Sequence, residues 1–398
     1  MFELTELSPL DPVLGMIDII KNDKRDGLIN LGIGVYKDIK GNTPILDSVK
    51  KAENILIESE KTKNYLNIEG LESFIQHSKS LIFGKENLSE LNDFIASVQC
   101  PGGTSALKIA AEFLIRHTKI RKIWISDPSW PNHEKLFSFA GFKVHKYPYF
   151  NKEKNQLDFY NMKKCLENIK DDSAVIFHSS CHNPTGIDPS FEQWLELAKI
   201  SRNKKWIPIF DSAYQGFSNG LKDDVFGIKI FLKYINEFVV CNSFSKNFSL
   251  YNERVGTCNF ITKNKKHASN VFSQLRSIIR VNYSNPPAHG ANIINVIFSK
   301  KDLFNLWKSE LNEMRNRIKQ IRSLFADTLF KINNKKNFNF IKNQHGMFSF
   351  IGLNRKNVMD LRNNFRIYVI DSGRLNFAAI TNKNIYEVCR SINCVLNN

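Results

Sequence analysis

Phe238-Val-Val-Cys241-Asn-Ser243-Phe-Ser-Lys246 joins a short apolar, β-prone run to a polar tail that ends in lysine. The same form recurs upstream. Trp206-Ile-Pro-Ile-Phe210 runs into Asp211-Ser-Ala-Tyr214, and Ala174-Val-Ile-Phe-His178 leads to Cys181-His-Asn183-Pro-Thr-Gly186. Lys122-Ile-Trp-Ile-Ser-Asp127 runs into Pro128-Ser-Trp130-Pro-Asn-His133, and a further β-rich run covers Phe142–Tyr147. Amphipathic stretches such as Ser105–His117 and Phe191–Lys204 lie between these runs. Alternation of short β-rich runs with helix-length segments predicts an α/β fold with a mainly parallel sheet covered on both faces. Ligands bind such sheets beyond the carboxyl ends of the strands. The polar tails therefore bring Trp130, His133, Asn183, Asp211, Tyr214, Ser243 and Lys246 to one edge.

The rest of the 398-residue chain is consistent with a large enzyme-like core. Lys301–Ile332 is one long periodic segment. Met347–Leu353, Arg366–Ile370 and Leu375–Ile380 read as strands, and a last helix is expected near Asn384–Leu396, so the chain closes on a small α+β unit. Residues 1–11, with Pro9 and with Pro12 just beyond, read as an extended arm preceding the first regular segment. The net charge is +17, but the basic residues are dispersed in short loop-like runs beside Asn and read as solvated surface. No nucleic-acid or membrane partner is expected. Seven cysteines without a C-x-x-C pair suggest a reducing compartment. With no signal-peptide core or membrane-length apolar run, a cytoplasmic location is the expectation.

Pro101-Gly-Gly103-Thr104-Ser-Ala-Leu107 adds a glycine turn ahead of a helix, where backbone N–H groups and the helix dipole attract an anion. A phosphate cradle, a lysine amine, a carboxylate and a stacking ring together suit pyridoxal phosphate. No metal ligand set is assigned, because no carboxylate at metal spacing accompanies His178 and His182 in sequence.

Ser243-Phe-Ser-Lys-Asn-Phe-Ser-Leu-Tyr-Asn-Glu-Arg-Val-Gly256 resembles the Schiff-base lysine signature of the aspartate aminotransferase family. His182–Gly186, Phe210–Phe217, Asn282–Gly290 and Ser372–Asn376 also resemble its motifs, in collinear order over the whole chain. The resemblance implies a large cofactor-binding domain over 45–312 with a seven-stranded sheet. It also implies a small domain from 12–44 and 313–398, and an arm over 1–11 that wraps a partner subunit. Lys246 is then the catalytic lysine, Asp211 the partner of the cofactor's ring nitrogen and Trp130 the stacking plate. Tyr214 and Asn183 take the ring oxygen. His133 stands behind Asp211. Gly103, Thr104, Ser243 and Arg254 hold the phosphate, joined by Tyr65 from the neighbouring subunit. Arg374 grips the substrate α-carboxylate, and Arg280 of the other subunit the side-chain carboxylate. Gly34 lies near the substrate.

These roles imply a homodimer with shared sites that exchanges amino groups between L-aspartate and 2-oxoglutarate by a ping-pong reaction. Ser105 and Ser249 stand where the family often has glycine, and Phe377 and Ile380 depart from the usual residues near the substrate arginine. An aromatic-amino-acid aminotransferase of the same subfamily is the nearest alternative, and a non-catalytic binding module on this fold a further one. Ser243-x-x-Lys246 also matches a penicillin-binding motif, but its S-D-N and K-T-G companions do not occur. Gly32-Ile-Gly34 opens a dinucleotide fingerprint that fails at Lys37.

Overall fold

The computed structural model describes residues 2–7, 11, 15–333 and 337–397. Seven strands form one sheet: β1 (Ile95–Pro101), β2 (Lys122–Asp127), β3 (Lys143–Pro148), β4 (Ser173–His178), β5 (Ile207–Ser212), β6 (Phe238–Ser243) and β7 (Val255–Ile261). Their spatial order is β1-β7-β6-β5-β4-β2-β3. Only β7 runs against its neighbours β1 and β6, while the pairs from β6 across to β3 are parallel. The chain is thus α/β with a mainly parallel seven-stranded sheet, as expected. Alternation alone did not single out β1 and β7, which flank the glycine turn and the lysine signature.

The central strands are buried on both faces, which is why they read as continuous apolar runs. In β4, Ala174 and Ile176 join one cluster with Ile109, Ile123 and Leu275, while Val175 and Phe177 join the other with Trp194, Phe210 and Phe231. The edge strand β3 is instead mostly exposed or half-buried, with Tyr147 its one buried residue. Helix α1 (Gly102–His117) starts three residues before the expected Ser105, because the first glycine takes a left-handed backbone (φ 80°) and turns the chain directly out of β1 into the helix. Helix α2 (Pro131–Phe139) follows β2 with Pro131 in its first turn.

Helix α3 (Lys301–Ile332) has the predicted bounds and buries Leu303, Trp307, Leu311, Met314, Ile318, Phe325 and Leu329 along one face. Trp307 ties it to the lysine loop. Its indole N–H donates to the Asn247 carbonyl at 2.8 Å, and its ring stacks on Phe248 with centroids 4.3 Å apart.

Beyond α3 the strands are shorter than the sequence suggested. β8 (Phe348–Phe350) pairs antiparallel with β10 (Arg374–Asn376), and β9 (Ile367–Tyr368) pairs parallel with Ile29–Asn30. The apolar residues around them are buried in turns rather than extended. Arg366 caps a helix with a left-handed backbone, and the Asn376 side chain accepts from the Ala378 N–H at 3.0 Å, turning Phe377–Ala379 into a 3-10 helix. The amino-terminal stretch also differs: Phe2–Leu4 forms a 3-10 turn, so it is not wholly irregular. Pro9 and Pro12 lie outside the described residues. Among the described residues no helix is long and apolar enough to cross a membrane.

Candidate active site

The carboxyl ends of β4, β5 and β6, the start of α1, the loop before α2 and the strand pair β8–β10 surround a cavity of about 460 Å³. Lys246 borders it, three residues past the end of β6. Its amine lies 4.9 Å from the Tyr214 ring centroid. Burial lowers the Lys246 pKa from 10.5 to about 8; the Asp211 charge opposes this, while Arg254 and Arg374 add to it. A neutral amine is therefore accessible near physiological pH.

Asp211 ends in the same cavity and is 5% exposed. Burial raises its pKa, but the His133 hydrogen bond, together with the charges of His133, His178 and Lys246, outweighs that and leaves it below the usual value. The Nε2–H of His133 donates to Asp211 Oδ2 at 3.0 Å, and His133 Nδ1 lies 2.9 Å from Ser129 Oγ. A carboxylate so held stays ionised and suits a protonated ring nitrogen. Trp130, half-buried, stands edge-on to His133 with centroids 5.2 Å apart and lines the cavity. Burial raises the Tyr214 pKa, so its hydroxyl is a donor over the working pH range.

The anion end is built from α1 and the lysine loop. Gly103 and Thr104 form the first turn of α1 and line the cavity with Ser243 and Ser245. Arg254 donates to Ser245 Oγ at 3.0 Å and to the Tyr251 carbonyl at 3.1 Å. A Cβ on Gly102 would come within 2.4 Å of the Arg254 guanidinium, and one on Gly103 within 3.0 Å of Ser243 Cβ. The glycines thus let the helix end, the serine and the arginine converge. A helix N-terminus with an adjacent guanidinium and hydroxyls is a fit for a phosphate.

At the opposite end Arg374 is buried. Its guanidinium donates to the Gly32 carbonyl at 2.6 Å and to Asn183 Oδ1 at 3.1 Å, and lies 3.9 Å from the Phe348 ring centroid. Among the described residues no carboxylate is paired with it and its Nε has no partner, and burial lowers its pKa to about 10. A buried guanidinium without an anion is incomplete until a substrate carboxylate binds. Asn376 holds the loop bearing Gly34 by donating to the Ile33 and Val35 carbonyls at 2.6 and 2.8 Å.

The structure therefore gathers Gly34, Gly103, Thr104, Trp130, Asn183, Asp211, Tyr214, Ser243, Lys246, Arg254 and Arg374 around one cavity. It does not bring Tyr65 or Arg280 there. Tyr65 is 92% exposed, and Arg280 is exposed on the surface and bonded to Ser284. Ser245, Tyr251 and Phe348 line the cavity without having been singled out. Ser245 and Tyr251 sit inside the lysine signature, but nothing in the sequence pointed to Phe348 beneath Arg374. No carboxylate accompanies His178 at metal spacing in sequence, but one stands beside it in space. Strand register sets His178 opposite Asp211, and His133 arrives from α2, so the three side chains cluster despite their sequence separation.

The model of the family described as aminotransferase class I and II matches residues 26–392. The chain is 48% identical to the aspartate aminotransferase of Salmonella typhi and 47% identical to that of Escherichia coli (strain K12), over 100% of each chain. Among solved structures, the aromatic-amino-acid aminotransferase of Burkholderia pseudomallei, covalently bound to pyridoxal phosphate, superposes with a TM-score of 0.96 at 38% identity. That match covers 100% of this chain and 99% of the other. Sequence, fold and a lysine-centred cavity thus agree, and the chain belongs to the class I and II aminotransferase family.

Proposed function

We propose that this protein is a pyridoxal-phosphate-dependent aspartate aminotransferase, converting L-aspartate and 2-oxoglutarate to oxaloacetate and L-glutamate. The observation that carries the reading is the Lys246 amine, enclosed with Asp211 on one side and the Arg254 and Arg374 guanidiniums on others. When bound, pyridoxal phosphate supplies the electron sink for the pair left by breaking the substrate Cα–H bond.

The chain's own groups do the rest. Ser243, Ser245, Arg254 and the first turn of α1 would hold the phosphate, and Trp130 the ring face. Asp211, kept ionised by His133, would hold a proton on the ring nitrogen. Tyr214 and Asn183 would donate to the ring oxygen. Asn183 is set for this, because its Oδ1 is already taken by Arg374 and its amide N–H groups remain to donate. Arg374 binds the substrate α-carboxylate as a planar fork and so orients the Cα–H bond. Lys246, in its neutral form, would be the base that takes the Cα proton, and its ammonium the acid that gives the proton back.

We further propose that the working unit is a homodimer. Tyr65 and Arg280, the two expected site residues outside the cavity, then complete it from the partner, Tyr65 at the phosphate and Arg280 at the substrate side-chain carboxylate. The division into an arm (1–11), a small domain (12–44 and 313–398) and a large domain (45–312), and a cytoplasmic location, belong to the same reading. An aromatic-amino-acid aminotransferase is the second reading, supported by the fold likeness to the Burkholderia enzyme. The higher identity to the two aspartate enzymes favours the dicarboxylate.

The test is steady-state transamination of the loaded enzyme with 2-oxoglutarate and either L-aspartate or L-tyrosine. A higher kcat/KM for aspartate supports the proposal; a higher value for tyrosine overturns the substrate choice.

A further inference from the structure

We propose that His133, His178 and Asp211 form a binding site for a divalent transition-metal ion, zinc above all, in the cofactor-free protein. One ligand atom of each residue lies within 4.8 Å of those of the other two, and all three side chains are buried. The proposed activity uses Asp211 and, behind it, His133. It leaves His178 without a task.

His178 Nε2 is enclosed and has no hydrogen-bond partner among the described residues, although the ring is 5% exposed and borders the cavity. A buried imidazole nitrogen without a partner carries a desolvation cost that a ligand relieves. The ring centroids of His133 and His178 are 5.1 Å apart, and strand register sets His178 opposite Asp211.

Two imidazoles, one carboxylate and a water from the cavity make the four-coordinate N/O set that zinc takes when one position stays open. Tetrahedral ligands about 2.0–2.1 Å from zinc are roughly 3.3 Å apart. His133 Nε2 and Asp211 Oδ2 already stand at 3.0 Å. The His178 ligand atom, within 4.8 Å of the other two, would have to draw in to complete the set. The His133 proton must leave Nε2, and Nδ1 takes one up, where Ser129 Oγ is at 2.9 Å to accept its hydrogen bond. For neutral His133 this is a change of tautomer with no net proton released.

The site has a consequence that rests on the proposed function. Zinc on Asp211 would neutralise the carboxylate that holds the ring-nitrogen proton and place its water in the same cavity, so metal and cofactor compete for the site. Zinc then traps the cofactor-free protein.

The test titrates the cofactor-free protein with zinc chloride by calorimetry, alongside His178→Phe and His133→Gln variants checked for native circular dichroism. One zinc per chain is expected, bound at least tenfold more weakly by each variant. Zinc-edge X-ray absorption of the wild-type complex should show nitrogen and oxygen neighbours. Saturation with pyridoxal phosphate should abolish binding. Equal affinity in both folded variants, sulfur ligation in the wild type, or undiminished zinc binding by cofactor-loaded protein would each overturn the inference. If the protein takes up no pyridoxal phosphate yet binds zinc through His178, the functional proposal fails and the metal site stands.

Discussion

Replacing Lys246 with methionine should stabilise the cofactor-free protein at neutral pH, and the gain should vanish in alkali. Lys246 has a folded pKa of about 8 against an ordinary 10.5. Between those values the unfolded chain binds more protons than the folded one, so the lysine's contribution improves as pH rises through that window. Below about 8 the penalty for burying the charge is complete; above 10.5 it is gone. Two and a half pH units at 1.36 kcal/mol each amount to about 3 kcal/mol. Cavity water screens part of this and leaves on the order of 2 kcal/mol. Methionine has a similar volume and no charge, so its own packing contribution is the same at every pH. The other lysines cancel in the comparison. The assay is urea unfolding of wild-type and Lys246→Met cofactor-free protein at pH 7 and pH 10.5. A stability difference that is the same at both pH values would refute the claim that the Lys246 amine is held towards its neutral form by the fold.

Three further outcomes test the catalytic assignments. Lys246→Ala should retain pyridoxal phosphate through Asp211 and the phosphate cradle but lose turnover by many orders of magnitude, read by transamination of the loaded protein. Arg374→Lys loses the planar fork and should raise KM for L-aspartate roughly ten- to hundredfold, the equivalent of one charge-assisted hydrogen bond; an unchanged KM removes Arg374 from carboxylate binding. Arg280→Val should lower kcat/KM for L-aspartate far more than for L-tyrosine, and equal losses would mean that Arg280 does not read the substrate side chain.

Much of this was legible in the sequence because a parallel sheet converts strand order into spatial order. The tails after Asp127, His178, Phe210 and Cys241 fall at one edge whatever the details of the helices between them. Central strands buried on both faces leave apolar runs that are hard to miss. The carboxyl-terminal strands were read too long because Phe377, Ala378 and Ile380 are buried in a turn, and burial alone does not distinguish a turn from a strand. Phe348 escaped notice because its task, supporting the Arg374 guanidinium, depends on register between β8 and β10. The His133–His178–Asp211 cluster was hidden for the same reason: its members meet through strand pairing, with none of the spacing that marks a local metal motif. Ser249 shows a different limit. It replaces a residue that is often glycine in the family and adopts φ 55°, with its hydroxyl donating to the Pro44 carbonyl at 2.7 Å as local compensation.

The central claim is that Lys246 holds the cofactor and that L-aspartate releases it. Borohydride reduction of the cofactor-loaded protein, followed by peptide mass mapping with and without prior addition of L-aspartate, tests both parts at once. The account predicts a pyridoxyl-phosphate mass on the peptide containing Lys246, and its loss when L-aspartate is added first without a keto acid. A label on another lysine, or no label at all, would contradict it.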